Sequence, residues 1–109
     1  MTDSILDTIK KMLGNLFDDF DQDIIVHINS ALAVLRHLGI GPASGFRITG
    51  SSKTWNDFVP DSENLDEIKT YVYLKVKKVF DPPQNSTHLA ALDASIAEYE
   101  WRLSVEKID

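Results

Sequence analysis

Apolar positions along the chain fall into four helical patterns separated by glycine, proline and acidic breaks. In the first, Ile5, Ile9, Met12 and Leu13 recur at helical spacing behind Ser4 or Asp3 as a cap, and Gly14 stops the run. A short connection follows, with Phe17 and Phe20 placed to plug a core edge. Asp21 is a natural N-cap for a second helix, whose apolar residues Ile24, Ile28, Ala31, Leu32, Leu35 and Leu38 form one buried stripe. His37 near its last turn and Gly39 just beyond suit a helix C-terminus. The third helix opens near Ser62 or Asn64, with Asn64 and Glu67 spaced as a capping box. Leu65, Ile68, Val72, Val76 and Val79 give its stripe, widened by Tyr71, Leu74 and Phe80, and Asp81-Pro82-Pro83 ends it. Asn85-Ser86 then caps a last helix of about 20 residues.

That last helix carries two apolar stripes. Leu89, Leu92, Ile96, Tyr99 and Leu103 make a two-heptad seam, and Ala90, Ala94, Ala97, Trp101 and Val105 run beside it. One helical neighbour covers one stripe, so the second is expected to serve a partner. Between helices two and three, from Gly39 to Asp61, the helical period disappears, and Gly41, Pro42, Gly45, Gly50 and Pro60 punctuate the chain. Phe46-Arg47-Ile48-Thr49 and Thr54-Trp55 suit two short strands around a turn, or an extended loop. A loop this long is usually functional or mobile. Phe46, Trp55 and Phe58 give it more apolar surface than a solvated loop carries. The fold class expected is all-α, a small bundle of about four helices with a long loop or short β-hairpin between helices 2 and 3.

Leu, Ile, Val and Phe make up 33 of the 109 residues, enough for one modest core, so residues 1–109 are expected to form a single domain. The absence of cysteine excludes a disulfide scaffold, a thiolate metal site and a cysteine nucleophile. Seventeen acidic against eleven basic side chains give a net charge of −6, which argues against a protein that grips nucleic acid by counterion release. No basic start precedes an apolar run, and no apolar run approaches the length of a membrane span; a soluble intracellular domain is expected.

Candidate chemistry fails residue by residue. Asp19, Asp21 and Asp23 alternate like a calcium loop, but Ile24 stands where glycine is needed and Ser30 where glutamate is needed. His27, His37 and His88 form no HExxH motif, and His27 and His37 lie about 80° apart around an ideal helix. Gly41 to Gly45 and Gly50 to Lys53 lack the spacing of a phosphate loop, and no G-x-S-x-G elbow exists. Asn85-Ser86-Thr87 matches a glycosylation acceptor but reads as a helix cap. Lys69, Lys75, Lys77 and Lys78 read as the basic end of a helix. No catalytic residue, cofactor or metal is therefore expected, and the protein is read as no enzyme. The interface candidates are Phe46, Trp55 and Phe58 in the loop, with Trp101 and Arg102 on the last helix. Asp57, Asp61, Glu63, Asp66 and Glu67 form an acidic strip with no base among them.

The strings HINSALAVLRHLGIGPASGFRI, TWNDF, LDEIKTYVYLKVKKVFDPPQNS and EYEWRL, in that order and spacing, resemble the small head–tail connector proteins of long-tailed phages, also called adaptor or head-completion proteins. The resemblance runs from Ile5 to Leu103. It implies a helical structural protein of the virion, without enzymatic activity, carrying an extended loop or hairpin between helices two and three. It further implies a ring, typically of twelve subunits, that assembles beneath the portal protein after DNA packaging and joins the head to a tail-completion or stopper protein. Assembly would take place in the host cytoplasm, with no membrane, and the mature protein would sit at the head–tail junction. DNA passes through such a ring without specific binding, so part of the strip Asp57, Asp61, Glu63, Asp66 and Glu67 is expected to face the channel and repel phosphates. Only Ser104 to Asp109 follow the EWRL pattern, so the last helix itself is expected to meet the portal. The alternative is a small acidic helical regulatory module, antitoxin-like or anti-repressor, that sequesters a basic partner protein.

Overall fold

Ser4 starts the first helix by accepting a hydrogen bond on its Oγ from the Asp7 amide at 3.3 Å, and α1 (Ile5–Leu13) ends at Gly14. The computed structural model describes residues 4–15, 17–60 and 64–108, with side chains as far as Val105. Ile5, Leu6 and Ile9 turn one face of α1 into the core.

α2 (Asp21–His37) buries Ile24, Ile28, Ala31, Leu32 and Leu35, most of the stripe that its periodicity predicts. Its N-cap differs from expectation. Phe20 occupies the cap without a side-chain bond, and Asp21 is the first helical residue. The Asp21 carboxylate turns instead to Lys10, whose ammonium lies 2.8 Å from Asp21 Oδ1 and 2.9 Å from Asp18 Oδ1. The Lys10 side chain is only 9% exposed, so a charged partner is worth more there than a cap bond. The close carboxylates of Asp21 first and Asp18 second raise the Lys10 pKa above its ordinary 10.5 despite burial. A raised lysine pKa contributes stability that is complete below the unfolded value and lost as pH climbs through the folded one. The stability difference between the natural protein and Lys10→Met, about 1.5–3 kcal/mol at neutral pH, is therefore expected to shrink above pH 10.5. Urea titrations from pH 8 to pH 11.5 measure it; a constant difference contradicts the assignment.

α2 closes in a Schellman motif. Gly39 takes a left-handed φ of 89°, its amide bonds the Arg36 carbonyl, and the Ile40 amide reaches back to Leu35. Ile40 and Leu35 are both buried, supplying the apolar contact that accompanies the motif. The long connection that follows contains no strand among the described residues; a single antiparallel bridge joins Thr54 to Ser4. Its last part is a one-turn helix, α3 (Trp55–Phe58), closed by a capping box between Thr54 and Asp57. The box expected at Asn64 is not formed, since Asn64 makes no side-chain cap bond to α4.

α4 (Leu65–Phe80) lies at the centre, packed against α1, α2 and α5, while α2 and α5 share little contact. It buries Ile68, Tyr71, Val72 and Val76; Val79, expected in the same stripe, is exposed in the last turn. α5 (Ser86–Ile108) begins with Asn85 Oδ1 accepting from the Thr87 and His88 amides at 2.7 and 3.2 Å. Its seam, Leu92, Ile96 and Leu103 buried with Leu89 and Tyr99 beside them, lies in the core as predicted. Polar ties lock the pair antiparallel: the Tyr71 hydroxyl donates to Glu100 at 2.7 Å, and Lys78 meets Asp93 at 2.7 Å. Burial, and then the Glu100 carboxylate, push the Tyr71 phenol far above its ordinary range, so it stays a donor. Phe20 and Phe80 meet edge to face, 5.7 Å between centroids, which sets α2 and α4 antiparallel. The fold is an all-α bundle, with the long segment between α2 and α4 folded back onto it.

Candidate assembly interface

The loop aromatics are the first test of where a partner can bind. Trp55 is fully buried, and its indole N–H donates to Thr8 Oγ1 at 3.0 Å, while the Thr8 hydroxyl donates onward to the Ser4 carbonyl at 2.7 Å. Lys69 lies over the same ring at 6.0 Å. Phe58 is buried too, 5.2 Å from the Phe46 ring. It fills the space beside Gly41, where φ is 87° and a Cβ would run into the Phe58 ring. The expectation that Trp55 and Phe58 contact a neighbour is thereby corrected: α3 turns both rings inward, and the subunit's own core consumes their surface. Phe46 alone of the three keeps part of its ring at the surface.

Trp101 and Arg102 stand outside. Trp101 is 65% exposed on the side of α5 opposite the α4 seam, in line with Ala90, Ala94, Ala97 and Val105, all exposed. Arg102 pairs with Glu98 at 2.8 Å and its guanidinium lies 5.9 Å from the Tyr99 ring, a brace beside the indole. The second stripe of α5 is therefore uncovered in the subunit.

A second surface lies on the flank of α2. The Asn29 side chain clamps the extended segment after Phe46: its Nδ2 donates to the Ile48 carbonyl at 3.0 Å and its Oδ1 accepts from the Ile48 amide at 2.7 Å. One amide thus reproduces both bonds of a strand partner and holds Ile48 in the core. Arg36 steadies the same segment by donating from Nε to the Ala43 carbonyl at 3.0 Å. Between the segment and α2 runs an open groove of about 760 Å³ that includes Val26, Ala33, Phe46 and Arg47. Val26 is 60% exposed on its wall. Asn29→Ala strands the Ile48 amide and carbonyl and is expected to cost about 1–3 kcal/mol, with faster hydrogen exchange at Ile48 as the local readout. Unchanged exchange contradicts the clamp.

The third apolar surface lies at one end of the bundle. Phe17 and Phe20, expected to plug a core edge, are 76% and 51% exposed at the end of the bundle where Phe80 also lies. The signal was present: Asp18, Asp19, Asp21 and Asp23 surround them in sequence, and so many carboxylates hold a segment at the surface.

Of the acidic strip, Asp57 and Asp66 are exposed and Glu67 is half-buried, whereas Asp61 and Glu63 lie outside the described residues. Asp57 accepts from the Thr54 amide and bonds the Thr54 side chain through the capping box, and these contacts hold its carboxyl below the usual range. His37 and His88 are exposed, and His27 is half-buried. Among the described residues no three His, Cys, Asp or Glu side chains gather as a metal site, and no helix is long and apolar enough to cross a membrane.

The helical domain thus leaves apolar side chains uncovered on two flanks and one end. The chain belongs to the phage connector protein family, whose sequence model matches residues 5–108. It is accordingly a structural phage protein and a component of the virion. No curated protein and no solved structure matches the chain.

Proposed function

We propose that this protein is the head–tail connector that assembles as a ring, typically of twelve subunits, beneath the portal after DNA packaging and joins the head to a tail-completion or stopper protein. The observation that carries the reading is the uncovered stripe of α5, where Trp101 is 65% exposed next to Arg102. An indole so placed on a small domain gains little for the subunit itself, and Trp and Arg are the side chains enriched where interfaces hold most of their binding energy. In this reading Trp101, Arg102 and the exposed part of Phe46 meet other subunits or the portal. Phe17, Phe20 and Phe80 meet a neighbour along the axis of the tail. Family membership favours this structural role over a regulatory module that sequesters a basic partner.

DNA then passes through the ring. The net charge of −6, with Asp57 and Asp66 at the surface, suits a wall that repels phosphate. Asp57, Asp61, Glu63, Asp66 and Glu67 are the proposed channel acids. Asp66→Lys is expected to make assembled rings retard DNA at low salt and release it at high salt; rings that ignore DNA at every salt concentration argue against a lumenal Asp66.

Infection with phage that lack the gene tests the proposal. DNA-filled heads without tails are expected to accumulate in the host cytoplasm, and added purified protein is expected to restore joining. Normal tailed particles from the deletion refute it.

A further inference from the structure

We infer that the α5 stripe of one subunit seats in the groove between α2 and the 44–49 segment of the next, with Trp101 as the knob. The inference rests on the ring proposed above and specifies which surfaces close it. α4 separates α2 from α5, so the knob and the groove lie on different flanks of the subunit. A contact between two different patches propagates from subunit to subunit and closes when the rotation is right, whereas a patch that meets its own copy stops at a dimer.

Charge selects the same pairing. The groove includes Arg36 and Arg47, neither in an ion pair among the described residues, and no carboxylate lines it, although the chain carries seventeen acids. On α5, Glu98 stands beside the stripe, paired with Arg102, while Asp93 and Glu100 turn to Lys78 and Tyr71 on α4. Groove against groove would oppose unpaired arginines, whereas the stripe offers the groove an apolar knob with a carboxylate beside it. Shape agrees as well. Ala90, Ala94 and Ala97 leave room for a close approach, and Trp101 stands beyond them as the largest side chain, with the smaller Val105 past it. The stripe from Ala90 to Val105 is about 24 Å long, and the α2 wall from Gln22 to Arg36 about 22 Å. Arg47, exposed on the groove's lining, is a cation that an incoming indole can stack against.

Two blocked variants test the pairing. Trp101→Glu removes the knob and leaves the groove; Val26→Glu with Arg47→Glu fills the groove with charge and leaves the knob. Circular dichroism checks that both remain folded, and Trp101→Phe, which keeps an aromatic knob, is expected to assemble. Each blocked variant alone is expected to sediment as a monomer, with self-association weakened at least 100-fold. An equimolar mixture has one good knob and one good groove, so it is expected to form heterodimers and nothing larger. A mixture that stays monomeric while the natural protein forms rings overturns this pairing and leaves the ring intact. Assembly of either folded blocked variant overturns it equally. A natural protein that never exceeds a monomer, alone or with its portal, overturns the ring and the pairing together.

Discussion

Replacing Trp55 with alanine is expected to destabilise the subunit by about 3–5 kcal/mol. The residue is fully buried where α3 packs onto α1, so truncation leaves a cavity lined by residues that are themselves buried. It also leaves Thr8 without the indole donor at 3.0 Å. Domains of this size carry roughly 5–15 kcal/mol in total, so the loss is a large part of the whole. The expected result in urea is a midpoint shifted far down. Trp55→Phe retains most of the packing and loses the hydrogen bond, and about 1–2 kcal/mol is expected from it. Equal losses from the two variants would mean that the polar tie, not burial, fixes α3.

Trp101→Ala is expected to do the opposite. An exposed side chain away from caps and cores leaves stability within about 0.5 kcal/mol of the natural protein. Its effect falls on assembly, where a central aromatic costs about 2–4 kcal/mol per interface when truncated. Every subunit in a ring uses the contact, so closed rings are expected to vanish at concentrations where the natural protein forms them. Sedimentation velocity alongside a urea titration separates the two quantities. A folded Trp101→Ala variant that still closes rings places the interface elsewhere.

The contrast between these tryptophans shows what sequence can and cannot convey. Gly14, Gly39 and Pro82-Pro83 stop helices for local reasons, and Asn85 starts one, so those boundaries were legible. The two stripes of α5 were legible as well, because helical periodicity is carried within the segment, and the seam is buried as expected. Trp55 and Phe58 were misplaced because an aperiodic, glycine-broken segment offers no stripe from which to read burial. Thr54 and Asp57, spaced as a capping box, were the available sign of a buried helical turn there. The Asn29 clamp on Ile48 spans 19 residues and depends on the fold itself, so no local pattern announces it. Asp21 left the cap position because Lys10 needed a counter-charge, a choice made by tertiary contact over local preference.

The mass of the natural protein in solution, titrated to high concentration and then with the portal ring of the same phage, decides whether these surfaces close a ring. A single closed species, at a whole multiple of the subunit mass and with Trp101 fluorescence shifted by burial, is the result that a connector with surplus apolar surface predicts. A chain that remains one subunit under every condition, its Trp101 as wet on the portal as off it, would contradict the account.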